Sequence, residues 1–387
     1  MRTQVAIIGA GPAGLTLSRI LHQHGIESVV LESRSRSYIE QRIRAGVLEH
    51  GTMELLNSLG VGERMMREGM LHHGIELRFE GKGHRIDFES LTGKNIIIYG
   101  QQEIIKDLVA AHLAEDWPLL FEAPVVSISH VDTDSPQVRF QHKGEEQILD
   151  CDYVAGCDGF HGLARESIPA TVLKQFQRKY PFGWLGILAE AAPSSSELIY
   201  SAHDRGFALH SMRSPKLVRN YIQCAPDEEI ANWSDDRIWN ELQLRMELDG
   251  GFRLNEGRII EKSVTPMRSF VVEPMQFGKL FLAGDSAHIV PPTGAKGMNL
   301  ALKDVVVLAE ALVASYKQGE NTGLKQYSET CLRHVWKAQH VSCWMTSMLH
   351  RFDTDDDFQR NLQLSQLHGL TESTAGSTWL AECYVGL

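Results

Sequence analysis

The chain has 387 residues, 43% hydrophobic and 22% charged, which are the proportions of a globular protein with two or three domains. A formal net charge of -11 argues against nucleic acid and anionic membrane surfaces as partners, so an anionic ligand must be captured by a local basic pocket against the global sign. The six cysteines (Cys151, Cys157, Cys224, Cys331, Cys343 and Cys383) form no CxxC pair and have no metal-ligand spacing, which implies reduced thiols, no metal site and a cytoplasmic location.

Val5–Ile8 is a continuous apolar run, as expected of a parallel strand buried on both faces. It is too short for a signal-peptide core, and no stretch reaches the ~20 apolar residues that span a bilayer. A helix is predicted through Leu15, Leu17, Ile20 and Leu21, and a second strand through Val29, Val30 and Leu31, ending in Glu32. Short alternating segments fill 74–98, followed by a helix over Gln101–Glu115 and strand-like pieces up to Tyr153–Ala155. Aromatic-rich strands then run from Gly183 to about Pro266, with a helical patch near Trp233–Leu248. Leu280–Ala283 is the last buried strand, Asn299–Ser315 is a helix, and everything beyond Tyr316 reads as helical.

This order predicts an α/β fold: a Rossmann-like dinucleotide-binding domain (1–73, 98–181 and 268–316) interrupted by a β-sheet substrate domain (74–97 and 182–267), with a helical C-terminal region (317–387).

Gly9, Gly11 and Gly14 fit GxGxxG between a strand and a helix. The first glycine permits the turn, the second lets the backbone approach a pyrophosphate, and the third lets helix and strand pack. The helix N-terminus offers N–H groups to the phosphates, and Glu32 can accept hydrogen bonds from ribose hydroxyls. A carboxylate there repels a 2′-phosphate, so the site suits FAD or NAD rather than NADP. Two further turns follow strands: Cys157-Asp158-Gly159, and Gly284-Asp285 with the loop Pro291-Pro292-Thr293-Gly294 leading to Gly297-Met298-Asn299.

These three fingerprints, in this order, make the chain similar from end to end to the flavoprotein aromatic hydroxylases. The resemblance implies FAD as cofactor, with Asp285 on its ribityl chain and the helix beginning near Gly297, Met298 and Asn299 aimed at the flavin ring. A helix N-terminus favours the negative charge that reduced flavin carries there by about 0.3–1 kcal/mol or more. It further implies that Asp158 belongs to the FAD site. In the segment Arg42-Ile43-Arg44-Ala45-Gly46-Val47, Arg42, Arg44 and Val47 would line the cofactor, with Arg44 on the diphosphate, and Gln101 would touch the flavin.

From Pro181 onward the resemblance is to members acting on hydroxylated benzoates. It rests on Pro181–Gly186, Glu197–Tyr200, Ser211, Arg213, Arg219, Tyr221, Arg268–Met275 and Tyr384–Leu387. Ser211, Arg213 and Tyr221 would hold the substrate carboxylate. Tyr200 would take the phenolic proton and pass it to Tyr384 and out through His72, while the Pro292 carbonyl would face the same hydroxyl. Arg219 would lie near the flavin. His210, next to Ser211, adds a titratable group that could retune the pocket.

The co-substrates implied are NADPH, or NADH, and O2. No second GxGxxG exists for the nicotinamide, and Tyr38, Arg42, His161, Arg165 and Arg268 match the residues that would receive it. A homodimer is also implied. The alternatives are the same chemistry on an amino- or polyhydroxybenzoate, and a flavin redox sensor that hydroxylates nothing.

Overall fold

The structure, a computed structural model, describes residues 1–44 and 46–386; Ala45 and Leu387, in two of the segments quoted above, lie outside the described residues. Val5–Ile8 pairs in parallel with Ser28–Leu31 on one side and Tyr153–Gly156 on the other, and Tyr153–Gly156 pairs in parallel with Leu280–Leu282. Leu119–Leu120 and Gln276–Phe277 complete a six-stranded sheet. Residues 5–8 and 28–31 are buried throughout, as an apolar run covered on both faces must be. The helix Pro12–Gln23 begins with proline at its first turn, where the missing N–H costs nothing.

All three fingerprint turns leave the same carboxyl edge of this sheet. Ile8 leads to Gly9, Gly156 to Asp158, and Leu282 to Asp285, from three adjacent strands. Ligands of open α/β sheets bind at that edge.

A second sheet has eight strands, in the order 288–289, 258–273, 174–190, 217–224, 206–214, 198–203, 74–79 and 82–87. Its two longest members, Lys174–Glu190 and Arg258–Glu273, run antiparallel to each other. At one end Phe270 and Val271 pair with Ile289 and His288, just past the Gly-Asp turn; at the other, residues 183–189 pair with 218–224. These strands join the cofactor end of the molecule to the second sheet, and the expected domain boundaries at 181/182 and 267/268 fall inside them.

Side chains on the two faces of the second sheet enter different cores. Leu185, Ile187, Val218 and Ile222 pack with Trp239 and Leu242 of the helix Asp235–Arg245. Trp184, Tyr200, Leu209 and Phe207 pack with Met345, Leu380 and Tyr384 of the C-terminal helices Thr322–Leu349 and Thr374–Val385. The latter is the face that carries the candidate site. Helices Arg36–Gln41, His50–Ser58 and Glu63–Glu68 were not singled out by the sequence pattern. Each spans at most two and a half turns, too short to display a period. No helix of the described residues is long and apolar enough to cross a membrane.

Candidate active site

The cleft at the carboxyl edge is shaped for a dinucleotide. Gly9 has φ +102°, and a Cβ there would lie 2.5 Å from the Cys157 carbonyl oxygen; one on Gly14 would lie 2.0 Å from the Gly9 oxygen. A Cβ on Gly11 would meet no protein atom within 4 Å. Packing therefore explains the first and third glycines, whereas the second leaves space that only a ligand against the backbone would use. Glu32 is buried, accepting from Ala10 N at 2.8 Å and Arg34 N at 2.8 Å. Its position is thereby fixed, with acceptor capacity left for a ribose. Asp158 accepts from Ala164 N at 2.8 Å through Oδ2, while its buried Oδ1 has no partner. Burial raises the pKa of this carboxyl group.

Gly46 lies so close to the Tyr99 carbonyl that a Cβ would sit 1.8 Å from it, and Tyr99 N donates to the Gly46 oxygen at 2.8 Å. This contact sets Arg44 beside the start of the helix Gln101–Ala114. Arg44 N donates to Gln102 Oε1 at 3.4 Å. Burial lowers the Arg44 pKa, the neighbouring Arg42 lowers it further, and Asp285 opposes both. Arg44 and Asp285, expected on the diphosphate and ribityl chain, are thus near enough to interact electrostatically.

The helix Gly297–Gln318 has no side-chain cap at its N-terminus. The side chain of Asn299, one of the expected cofactor ligands, is fully engaged by protein. Its Oδ1 accepts from Glu49 N at 3.0 Å and Thr52 Oγ1 at 2.9 Å, and its Nδ2 donates to Val47 O at 2.9 Å and Ala295 O at 3.1 Å. Asn299 therefore clamps the 47–52 segment to the helix, and only its backbone N–H is left for a cofactor. The Pro292 carbonyl accepts from Ala295 N at 2.9 Å, leaving one lone pair.

On the second sheet, register aligns the site. Tyr200 lies opposite Leu209, Leu209 opposite Tyr221, and Tyr221 opposite Gly186, so the four share a face. Ser211 and Arg219 form the next row on that face. Arg213 donates to Ser211 Oγ at 2.6 Å and Met212 O at 2.9 Å through Nη1, and to Tyr221 Oη at 3.4 Å through Nη2. Its buried Nε has no partner, and burial lowers the guanidinium pKa. Among the described residues no carboxylate pairs with it. A Cβ on Gly186 would lie 2.9 Å from Arg219 Nη2 and 3.3 Å from Tyr221 Cε1, so this glycine makes room for both side chains.

Tyr200 is 2% exposed, and its hydroxyl lies 2.5 Å from that of Tyr384. Burial pushes both phenols well above the usual tyrosine range. Tyr384, so near the chain's end, is held by contacts that sequence reading missed. Its ring stacks on Phe88 at 5.1 Å, and the buried Lys296 ammonium donates to the carbonyls of Cys383 and Tyr384. Lys296 is paired with Glu49 at 2.7 Å, across 247 residues of chain. A lysine between Ala295 and Gly297, just before the helix Gly297–Gln318, was the one available signal for it.

Three of the expected residues have surroundings that the sequence pattern does not reveal. His72 is buried, and burial holds its pKa down to about 4. Neither ring nitrogen has a partner, so it makes no direct hydrogen bond to Tyr384. His210 lies on the opposite face from Ser211, accepting from Ser194 N at 3.1 Å and contacting Asn220 Oδ1 at 2.7 Å. Its hydrogen bonds therefore go to Ser194 and Asn220 and not to Ser211 or Arg213. Arg219, expected near the flavin, has its terminal nitrogens on Glu261 at 2.8 Å and Ser263 at 2.9 Å.

The expected nicotinamide residues form two groups. Arg42 and Arg34 lie 6.0 and 5.5 Å from the Tyr38 ring centre. Arg268 lies 3.8 Å over Phe160, whose ring also contacts His161 edge-on. Arg165 turns inward, donating to Ser286 O at 3.0 Å and Phe160 O at 2.5 Å, and so braces the Asp-Gly turn against the Gly-Asp turn.

Residues 2–342 match the family described as FAD binding domain. The chain belongs to that family and is an FAD-dependent monooxygenase of the aromatic-hydroxylase type. It is 49% identical over 388 positions to the p-hydroxybenzoate hydroxylase of Acinetobacter baylyi, covering 100% of this chain and 96% of that one. Monooxygenase 1 of Arabidopsis thaliana is 27% identical, over 80% of this chain and 78% of its own. A solved p-nitrophenol 4-monooxygenase from Pseudomonas putida has the same fold, with a TM-score of 0.82 at 19% identity, over 100% of this chain and 99% of that one.

The Gly11 geometry makes a direct prediction. Gly11→Val should fold with unchanged melting behaviour when flavin-free, because its side chain meets no protein, but should purify with FAD content reduced about tenfold or more. Normal flavin content in that variant would place the diphosphate elsewhere.

Proposed function

We propose that this protein hydroxylates 4-hydroxybenzoate beside its phenolic oxygen, giving 3,4-dihydroxybenzoate, in the breakdown of aromatic acids. One atom of O2 enters the ring, the other leaves as water, and NADPH supplies the two electrons. The nucleotide sheet carries FAD, the second sheet carries the substrate, and the enzyme is a cytoplasmic homodimer. The single observation that carries this reading is Arg213, a half-buried cation flanked by two hydroxyls, with its Nε sealed and no carboxylate to meet it among the described residues. A planar guanidinium and two hydroxyl groups are suited to a carboxylate.

Tyr200 and Tyr221 occupy one row two strands apart, roughly 10 Å at the backbone. That span suits a ring with its hydroxyl at one end and its carboxylate at the other. FAD held by the turn at Gly11, by Glu32 and by the Asp158 turn would supply the redox chemistry between NADPH and O2. The chain's task is to make the ring electron-rich. A phenol has a pKa near 10, and each unit by which the site lowers it requires about 1.36 kcal/mol. Since burial keeps Tyr200 and Tyr384 neutral, Tyr200 accepts the substrate proton only as it releases its own to Tyr384. The step onward to His72 requires a bridging water, because no direct bond exists.

For NADPH, the exposed Arg42 beside Tyr38 is the candidate reader of the 2′-phosphate. Arg42→Ser should raise KM for NADPH at least tenfold while changing that for NADH less than threefold. An equal loss with both would assign Arg42 to FAD instead. The whole reading is tested by titrating the FAD-loaded protein with 4-hydroxybenzoate and following the flavin spectrum. Hydroxylated product is then scored across a panel of hydroxy- and aminobenzoates. Spectral change without product from any acid would identify a flavin sensor, and faster product from an aminobenzoate would reassign the substrate.

A further inference from the structure

At the end of the helix Thr322–Leu349 stands His350, fully buried and part of no expectation from the sequence. Trp184 Nε1 donates to His350 Nε2 at 2.7 Å, and His350 Nδ1 meets the Thr346 carbonyl at 2.9 Å. An indole N–H only donates and a carbonyl only accepts, so the two partners allow one arrangement, with the proton on Nδ1. Burial holds the imidazole pKa down to about 3, so this arrangement persists at every working pH.

The imidazole is also stacked in register. Phe182 lies 4.6 Å away at 7° and Phe207 4.4 Å away at 29°. The Trp184 ring that it holds packs 4.8 Å from Tyr221, whose hydroxyl contacts Arg213. We propose that His350 is a positioning residue for substrate binding: by fixing the Trp184 indole it sets the ring of Tyr221, and through Tyr221 the geometry of the Arg213 carboxylate clamp. The inference rests on the reading of Arg213, Ser211 and Tyr221 as the site of the substrate carboxylate.

His350 bonds to Trp184 and Thr346 and to neither Tyr200 nor Tyr384, with the Phe207 ring between it and Tyr200, so the consequence falls on affinity. His350→Phe keeps an aromatic ring in the stack but leaves the Trp184 N–H buried without an acceptor, whereas His350→Gln restores an acceptor. In FAD-loaded enzyme, His350→Phe should raise the dissociation constant for 4-hydroxybenzoate about tenfold. Flavin content should be unchanged and turnover at saturating substrate within threefold of wild type. His350→Gln should recover most of the affinity, which a general loss of packing would not allow. Combining His350→Phe with Trp184→Phe, which removes donor and acceptor together, should cost less than the two changes summed. Should His350→Phe alone fail to accumulate, the double variant carries the test, and its failure to accumulate as well would make His350 a folding residue and overturn the proposal. Wild-type affinity in His350→Phe, or equal losses in the Phe and Gln variants, would also overturn it. Arg213→Ala, measured alongside, separates the two ideas: if it loses binding while His350→Phe does not, the clamp stands and the positioning role falls. If wild-type enzyme itself shows no response to 4-hydroxybenzoate, both fall.

Discussion

Tyr200→Phe should uncouple NADPH oxidation from hydroxylation. The substitution removes one hydroxyl and retains a ring that is 2% exposed and packed among Phe207 and Tyr384, so the fold and the carboxylate clamp should be kept. Hydride transfer from NADPH does not use the phenolic oxygen, so flavin reduction should continue. What is lost is the first acceptor of the substrate proton, 2.5 Å from Tyr384. Positioned proton transfer contributes roughly 10²–10⁴-fold to a rate, and a neutral phenol is a poor nucleophile toward activated oxygen. Product per NADPH should therefore collapse, with the missing oxygen appearing as H2O2. Tyr384→Phe should act in the same direction but more weakly, being one hydroxyl further from the substrate. The measurement is 3,4-dihydroxybenzoate formed per NADPH consumed at saturating substrate. Wild-type coupling in Tyr200→Phe would reduce this tyrosine to packing.

Arg213→Ala should abolish useful affinity for the substrate while leaving the enzyme intact. Truncating one partner of a buried charged pair costs roughly 2–5 kcal/mol, which corresponds to a dissociation constant raised about 30-fold or more. Here the sign of the effect on stability is informative. In the substrate-free protein the guanidinium is half-buried, its sealed Nε lacks a partner, and no carboxylate among the described residues offsets its charge. Removing it should leave the melting temperature of the substrate-free protein unchanged or higher, because an uncompensated desolvation cost disappears. A general core residue would behave in the opposite way. A phenol lacking the carboxylate serves as the control ligand, since its weak binding should be indifferent to the substitution. If 4-hydroxybenzoate binds the variant as it binds wild type, Arg213 is not its anchor.

The sequence alone determined the parts whose cause is local. The turn at Gly9, the acid at Glu32, the Asp-Gly at 158–159 and the Gly-Asp at 284–285 were legible because a turn at the end of an apolar strand is dictated by a few adjacent residues. The alternation of Ser211, Arg213 and Tyr221 was legible because a strand repeats every two residues. The same parity places His210 on the far face, and it was available before any coordinates. Tertiary structure alone decided which distant residues meet. Tyr200 and Tyr384 are 184 residues apart, Lys296 and Glu49 are 247 apart, and Trp184 and His350 are 166 apart. No periodicity connects such pairs, since their meeting depends on how the C-terminal helices cover one face of the second sheet. The same packing reassigned residues whose type had been read correctly. Asn299 spends its amide on the 47–52 segment, Arg165 braces two turns, and neither buried ring nitrogen of His72 meets a protein partner among the described residues. Sequence states which chemical groups are present, but a hydrogen-bonding group is available to a ligand only if no nearer protein group has claimed it, and that competition is settled in three dimensions.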